Sequence, residues 1–185
     1  LELTAAGATS QRGPGDVADD PRAIDSLFAA YTGPRPGASV MVIRAGTVVA
    51  RRASGMANLQ RNVTATPETN YRLASVSKQF TAMCIMLLAK DGKLQLDQPV
   101  RSILQELPSA AAPVTIRQLL NHTSGLVDYE DLIPESRVTQ LDDNDVLTML
   151  ASKDSVYYPA GTAYRYSNSG YVLLGMIVAR VSEMT

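Results

Sequence analysis

In residues 71–94, YRLASVSKQFTAMCIMLLAKDGKL, Ser75 and Lys78 precede an apolar run from Phe80 to Ala89. The run predicts a helix, and Gly92 is a typical residue at a helix end. Nearly every side chain of the run is apolar or small, so we expect this helix to be buried. Ser75 and Lys78 are three residues apart and are therefore expected on one face, at the N-cap or in the first turn.

The serine at the start of this helix has two interpretations. As a capping residue, Ser75 would accept hydrogen bonds from the backbone N–H groups of the first turn. Capping does not account for Lys78, because the positive end of the helix dipole and the dry helix behind it disfavour a cation there. A lysine in that position beside a serine hydroxyl is typical of a nucleophile and its base. At this point both interpretations of Ser75 stay open.

The composition limits the possible function classes. The chain has 185 residues, 45% of them hydrophobic, which is enough to bury one sizeable core. It carries 17 basic and 18 acidic residues and a net charge of -1, so the charge favours neither nucleic acid nor an anionic membrane as a partner. No apolar run approaches the roughly 20 residues that span a bilayer. The first twenty residues lack the basic start and apolar run of a signal peptide.

The metal-binding residue types are scarce. Cys84 is the one cysteine and His122 the one histidine. An intramolecular disulfide is therefore excluded, and a zinc site built from these ligands is not expected. We expect Cys84 to be an inert core thiol, and we predict no cofactor and no metal site.

Local patterns predict an α+β chain in which helices follow one hairpin. We expect residues 1–20 to form a flexible arm and Pro21 to open the first helix. The apolar segments ASVMVIR (38–44) and TVVARRAS (47–54) predict two strands, the first of them buried in a sheet. A tight turn at Ala45 and Gly46 joins them. Further helices are predicted over residues 96–107, 115–122, 142–152 and 170–184.

The predicted strands are too few for a stable sheet. Two strands alone are marginal, and nothing after residue 54 clearly supplies partners for them. We therefore expect a longer polypeptide, in which a C-terminal segment or a companion chain completes the sheet. Within it, residues 21–74 would be the helix and hairpin of a sheet lobe, and residues 75–185 a mainly helical lobe.

A second polar cluster, AYRYSNSG (163–170), precedes the last predicted helix. In one interpretation Asn168 or Ser169 caps that helix, and Tyr166 packs beside it. In the other, a neighbouring ammonium lowers the pKa of the Tyr166 phenol, which then acts as a general base. The amide of Asn168 would position a lysine or a substrate carbonyl. Both interpretations remain open, but Tyr166 and Asn168 supply the parts that the Ser75–Lys78 pair lacks.

Together the motifs SVSK (75–78), NHTSGL (121–126) and YSN (166–168) resemble the serine β-lactamase and penicillin-binding-protein superfamily. The resemblance covers roughly residues 38–184. It is closest to the class C-like branch, which includes D-peptidases and β-lactamase-fold esterases. The class A motifs are S-x-x-K, S-D-N and K-T-G, so YSN points away from that class. The third motif, a lysine or histidine followed by a small residue and glycine, is absent, which agrees with the shortage of strands.

The resemblance implies a fold and an activity. The fold would be β-lactamase/DD-peptidase-like, an antiparallel sheet flanked by helices plus an all-helical lobe. Ser75 Oγ would attack a carbonyl and form an acyl-enzyme, while Lys78 and Tyr166 move the proton and Asn168 orients Lys78 and binds the substrate. The backbone N–H of Ser75 would supply half of an oxyanion hole. The substrate would be a small molecule or peptide with a carbonyl centre, and the protein would be periplasmic or secreted.

Two other functions use the same motifs. A penicillin-binding sensor would be acylated without turnover, and a catalytically silent domain would only bind ligands or partners. We expect His122 to fix its loop by hydrogen bonds rather than to take part in chemistry. The acidic stretch DYEDLIPES (128–136) is expected to be a solvated loop or a lid, with no catalytic carboxylate.

Overall fold

The computed structural model describes residues 21–184, which form two compact units divided between Arg72 and Leu73. The predicted flexible arm, residues 1–20, lies outside the described residues.

The first unit contains a short helix and two small sheets. Helix α1 is Pro21–Leu27, and strands β1 (Ala38–Arg44) and β2 (Thr47–Ser54) pair antiparallel as predicted. Ala45 and Gly46 join these strands with φ of 46° and 79°, as a two-residue hairpin turn of the primed type requires.

Two further strands were not predicted from the sequence. Strands β3 (Met56–Asn58) and β4 (Val63–Thr64) form a second antiparallel pair. The prediction that 38–44 is buried was wrong, since Ile43 is 60% exposed. Each sheet of residues 21–184 has two strands, and so small a sheet leaves much of its surface uncovered.

The second unit is helical. Its α-helices are α2 (Lys78–Lys90), α3 (Ile116–Leu120), α4 (Asp143–Ala151) and α5 (Asn168–Ser182). Helix α5 lies at the centre and packs against the other three. The fully buried side chains of the unit come from its helices and connecting segments, and include Ile85, Val100, Leu104, Ile116, Leu119, Leu173, Leu174 and Ile177.

Helices α3 and α4 begin at capping boxes. The Thr115 hydroxyl accepts the Gln118 N–H, and the Gln118 side chain accepts the Thr115 N–H. Asp142 and Asp145 make the same reciprocal pair at the start of α4. Each box satisfies two donors that a helix start otherwise leaves open, the backbone N–H of the cap residue and that of the third helical residue.

The predicted burial of α2 was wrong. Ile85 and Leu88 face the core, but Phe80 is 62% and Met83 58% exposed, and Cys84 is an exposed thiol rather than a core residue. The helix buries the stripe that packs against α5, and a second apolar face stays open to solvent in the described part of the chain.

The helix predicted over residues 96–107 is also absent. Only Val100–Ser102 forms a short 3-10 turn. Residues 96–100 pair instead with residues 114–117. The Val100 N–H donates to the Val114 carbonyl at 2.9 Å, and the Arg117 N–H donates to the Leu96 carbonyl at 2.8 Å. These long-range bonds hold the backbone extended and override the local helical pattern.

Gly125 allows a close approach of two chain segments. Its φ is 72°, and a Cβ there would overlap the carbonyl oxygen of Tyr158. Gly92 has the same φ of 72° but nothing within 4 Å of the Cβ position. Alanine substitutions at these two glycines therefore separate the free-energy cost of a left-handed backbone from the cost of a steric clash.

We expect Gly92→Ala to lower the free energy of unfolding by about 1 kcal/mol, the usual cost of an L-residue in this conformation. Gly125→Ala adds overpacking against Tyr158 and should cost about 3 kcal/mol in total. Urea unfolding of both variants measures the difference. Equal losses would show that the contact between Gly125 and Tyr158 is not tight.

Candidate active site

The first half of the site lies at the start of α2. Ser75 is in a 3-10 turn, Ala74–Ser77, that leads directly into the helix, and Lys78 is the first α-helical residue. Ala74 has φ of 47°, so the chain turns sharply just before the serine. The Lys78 Nζ donates to Ser75 Oγ at 3.2 Å. Ser75 itself is exposed, which leaves its hydroxyl accessible.

The second half lies at the start of α5, about 90 residues further along the chain. The Tyr166 hydroxyl donates to Ser75 Oγ at 2.6 Å, and Asn168 Oδ1 accepts from Lys78 Nζ at 2.6 Å. The four side chains singled out in the sequence are thus brought together, two from each helix start. All four lie in the second unit.

The charge of Lys78 acts on Tyr166. Hydrogen bonding from Lys78 and then from Ser75 holds the pKa of the Tyr166 phenol below its ordinary value, against opposing effects of burial and Glu130. Lys78 Nζ lies 4.9 Å from the centroid of the Tyr166 ring. Once the phenol loses its proton, the oxygen becomes an acceptor, and Ser75 becomes the donor in the 2.6 Å bond.

Ser167, rather than Asn168 or Ser169, caps α5. Its hydroxyl accepts the Gly170 N–H at 3.2 Å, while the buried Ser169 hydroxyl accepts the Tyr129 N–H at 2.7 Å. The capping interpretation of Asn168 was therefore wrong. Because Ser167 takes the capping position, the Asn168 side chain is available for Lys78.

Two carboxylates of the acidic loop hold Asn168, and sequence reasoning missed both. Asp128 is 6% exposed and accepts the backbone N–H groups of Asn168 at 2.8 Å and Glu130 at 3.2 Å. Glu130 Oε1 accepts from Asn168 Nδ2 at 2.8 Å. The amide nitrogen thus faces Glu130, which leaves the amide oxygen facing Lys78. The partners lie about 40 residues apart, so no local pattern indicates them.

The same loop is anchored again by Asp131. Arg165 donates to its carboxylate at 2.9 Å, and the Tyr157 hydroxyl donates to it as well. The Arg165 guanidinium also lies 4.0 Å from the centroid of the Tyr157 ring. The prediction of a simply solvated loop therefore holds for the exposed residues 133–136, but not for residues 128–132, since Leu132 also packs against the core.

His122 fixes its loop by hydrogen bonds, as expected. Its Nδ1 accepts the Ser167 N–H at 3.2 Å, and its ring lies against those of Tyr166 and Tyr171, with centroids 4.6 and 5.2 Å apart. Its backbone φ is 61°. The histidine thus adjoins the candidate base, Tyr166.

Residues 21–184 contain no group of three or more histidine, cysteine, aspartate or glutamate side chains arranged to hold a metal ion. In the same residues, no helix combines the length and the apolar character needed to cross a membrane.

Curated relatives have sequences similar to much of this chain. Protein flp of Staphylococcus aureus (strain COL) is 31% identical over 175 residues, which are 90% of this chain and 34% of that protein. Penicillin-binding protein 4* of Bacillus subtilis (strain 168) is 34% identical over 154 residues, 80% of this chain and 33% of that protein. The chain spans about a third of the length of these relatives.

Solved structures share the fold. The D-amino acid amidase from Ochrobactrum anthropi SV3, complexed with L-phenylalanine, has a TM-score of 0.72 at 29% identity, covering 92% of this chain and 45% of its own. The octameric penicillin-binding protein homologue from Pyrococcus abyssi has a TM-score of 0.72 at 28% identity, covering 92% and 40%. These likenesses confirm the predicted α+β fold class. The Beta-lactamase family matches residues 24–185, and the chain belongs to that family.

Proposed function

We propose that the protein is a serine hydrolase that cleaves an amide or an ester through an acyl-enzyme on Ser75. The observation that carries the proposal is the convergence of Lys78 and Tyr166 on Ser75 Oγ, at 3.2 and 2.6 Å. A serine hydroxyl is a weak nucleophile until a base takes its proton. Two titratable groups within hydrogen-bond reach meet that requirement, and membership of the Beta-lactamase family supports it.

The proton path follows from the charges. The Lys78 ammonium favours the phenolate form of Tyr166, whose pKa is lowered, and the phenolate takes the proton from Ser75 as Oγ attacks the carbonyl carbon. The tetrahedral intermediate collapses, the C–N or C–O bond breaks, and Tyr166 returns the proton to the leaving group. Water then attacks the ester of Ser75 by the same path in reverse. The backbone N–H of Ser75 is the proposed donor to the oxyanion.

Asn168 has a positioning part in this scheme. Its amide oxygen accepts from Lys78 at 2.6 Å and so holds the ammonium near both Ser75 and Tyr166. Glu130 fixes which end of the amide faces the lysine, and Asp128 fixes the backbone of the first residue of α5. The site is therefore held in place by a loop that lies outside the SVSK and YSN motifs.

The substrate is proposed as a small molecule or peptide with a carbonyl centre. The name of the D-amino acid amidase supports an amide, and the names of the penicillin-binding relatives support a β-lactam as an acylating reagent. A chromogenic cephalosporin, a short-chain p-nitrophenyl ester and a D-Ala-D-Ala peptide separate the possible activities. Turnover of any of them supports a hydrolase, stable labelling without turnover a sensor, and neither a silent domain. Because the relatives are about three times longer, these assays use the full-length protein.

Ser75→Ala should abolish covalent labelling by a fluorophosphonate or a β-lactam, since the attacking oxygen is lost. Ser75 is exposed, so the fold should be retained, which circular dichroism verifies. Intact-mass spectrometry measures the adduct. The nucleophile is assigned wrongly if the alanine variant is labelled at the original rate.

Lys78→Ala and Tyr166→Phe should each slow acylation by about 10²–10⁴-fold, the usual effect of removing a general base. Both serve one proton, so the double variant should lose far less than the product of the two single losses. In the unsubstituted protein the rate should rise with pH as Tyr166 loses its proton, at a pKa below the ordinary value for tyrosine. Stopped-flow acylation across pH measures both effects, and multiplicative losses would place the two residues in separate steps.

Asp128→Asn should lower both stability and acylation. One oxygen that accepts a backbone N–H at the start of α5 is replaced by an NH₂ group, which we expect to cost about 2 kcal/mol of unfolding free energy. Acylation should fall because Asn168 loses its position. Asp154→Asn is the matched control, since Asp154 accepts the Ala110 N–H at 2.7 Å at an exposed position outside the site. An unchanged acylation rate in folded Asp128→Asn would contradict the role given to this loop.

A further inference from the structure

Three contacts from His122 surround Tyr166. The His122 carbonyl accepts the N–H of Arg165 at 3.0 Å, and its Nδ1 accepts the N–H of Ser167 at 3.2 Å. Between these bonds, the His122 ring lies against the Tyr166 ring with centroids 4.6 Å apart and planes tilted by 32°. The residues before and after Tyr166 are therefore bound to one histidine, and so is its ring.

We propose that His122 is a positioning residue that holds the Tyr166 hydroxyl at Ser75. This inference rests on the proposed function, in which Tyr166 takes the proton of Ser75. The phenol lies 2.6 Å from Ser75 Oγ, a distance that a small shift of the residue 165–167 backbone would lengthen. Misplacement of a reacting group by about 1 Å can cost about 10²-fold in rate.

Other side chains supply only part of these contacts. Phenylalanine offers a ring without an acceptor, and asparagine offers an acceptor without a ring. The acceptor is needed because Ser167 is 5% exposed, and a buried N–H without a partner is costly. His122 also adopts φ of 61°, a conformation in which histidine and asparagine are more frequent than most residues.

The imidazole has to be neutral to accept the Ser167 N–H at Nδ1. Burial, and then the charge of Lys78, lower the pKa of His122, while Asp128 raises it. The ring is half-buried beside Tyr166 and Tyr171, which explains the effect of burial. At neutral pH, Nδ1 therefore carries a lone pair and Nε2 carries the proton. With Nδ1 occupied by Ser167, His122 acts through Tyr166 rather than on the substrate.

Two substitutions separate the contacts. His122→Gly removes the ring and the acceptor and tolerates the left-handed backbone, and it should slow acylation of the full-length protein about 10–100-fold. His122→Asn keeps an oxygen close to the place of Nδ1 and also tolerates this backbone, so it should stay within about tenfold of the unsubstituted rate. Equal rates for the glycine variant and the unsubstituted protein would overturn the proposal, as would an asparagine variant slower than the glycine variant.

The same His122→Gly substitution in a Tyr166→Phe background tests whether the two residues act together. If His122 acts only through Tyr166, the second substitution should cost less than about twofold in that background. A loss of folded protein would instead lower acylation by the same factor in both backgrounds, which would overturn the inference. If Tyr166→Phe alone leaves acylation unchanged, the proposed base fails and the inference fails with it. If Tyr166→Phe is slow and His122→Gly is not, only the positioning role fails.

A spectroscopic test is independent of activity. In the full-length protein, labelled with ¹⁵N at histidine, the imidazole signals of His122 are the ones that disappear in His122→Asn. At pH 7 the two nitrogen shifts should report an unprotonated Nδ1 and a protonated Nε2. A proton on Nδ1, in either the other tautomer or the imidazolium ion, would remove the acceptor and overturn the inference.

Discussion

The candidate site depends on the packing of α2 against α5. Each helix begins at the site, one at Lys78 and the other at Asn168, so their relative rotation decides whether the side chains meet. Ile85 and Leu88 of α2 share one core with buried side chains of α5. An α-helix turns about 100° per residue, and a slip of one residue would therefore turn Lys78 away from its partners. Apolar packing in the core thus sets the polar geometry at the helix starts.

The sequence predicted the features that depend on neighbouring residues. The hairpin followed from two apolar segments joined at Ala45 and Gly46, and the start of α3 from Thr115 at the beginning of the predicted helix 115–122. Each of these involves residues within a few positions of one another. The residue types at Ser75 and Lys78 were also informative, because a helix start gives a lysine no structural reason to be there.

Features that depend on distant residues were not predictable in this way. An apolar run shows that a helix has apolar surface, but not which part another element covers, so Phe80 and Cys84 were wrongly expected in the core. Residues 96–107 do not form the predicted helix, because residues 96–100 pair with residues 114–117. Asp128 and Glu130 gave no signal either, because their partner Asn168 lies about 40 residues away. Position in the fold, not residue type, gives these groups their importance.

The polar groups of the helical unit divide into a buried and an exposed set. Asp128 and Ser169 are buried, and their hydrogen bonds join backbone segments about 40 residues apart, so they stabilise the fold. Tyr166 is 45% exposed and Ser75 is also exposed, and hydrogen bonds between such groups contribute little to stability. A domain that only bound ligands would need the buried set. Stability therefore does not explain why an ammonium and a phenol both meet one serine oxygen, and this arrangement is the basis of the proposal that they activate that oxygen.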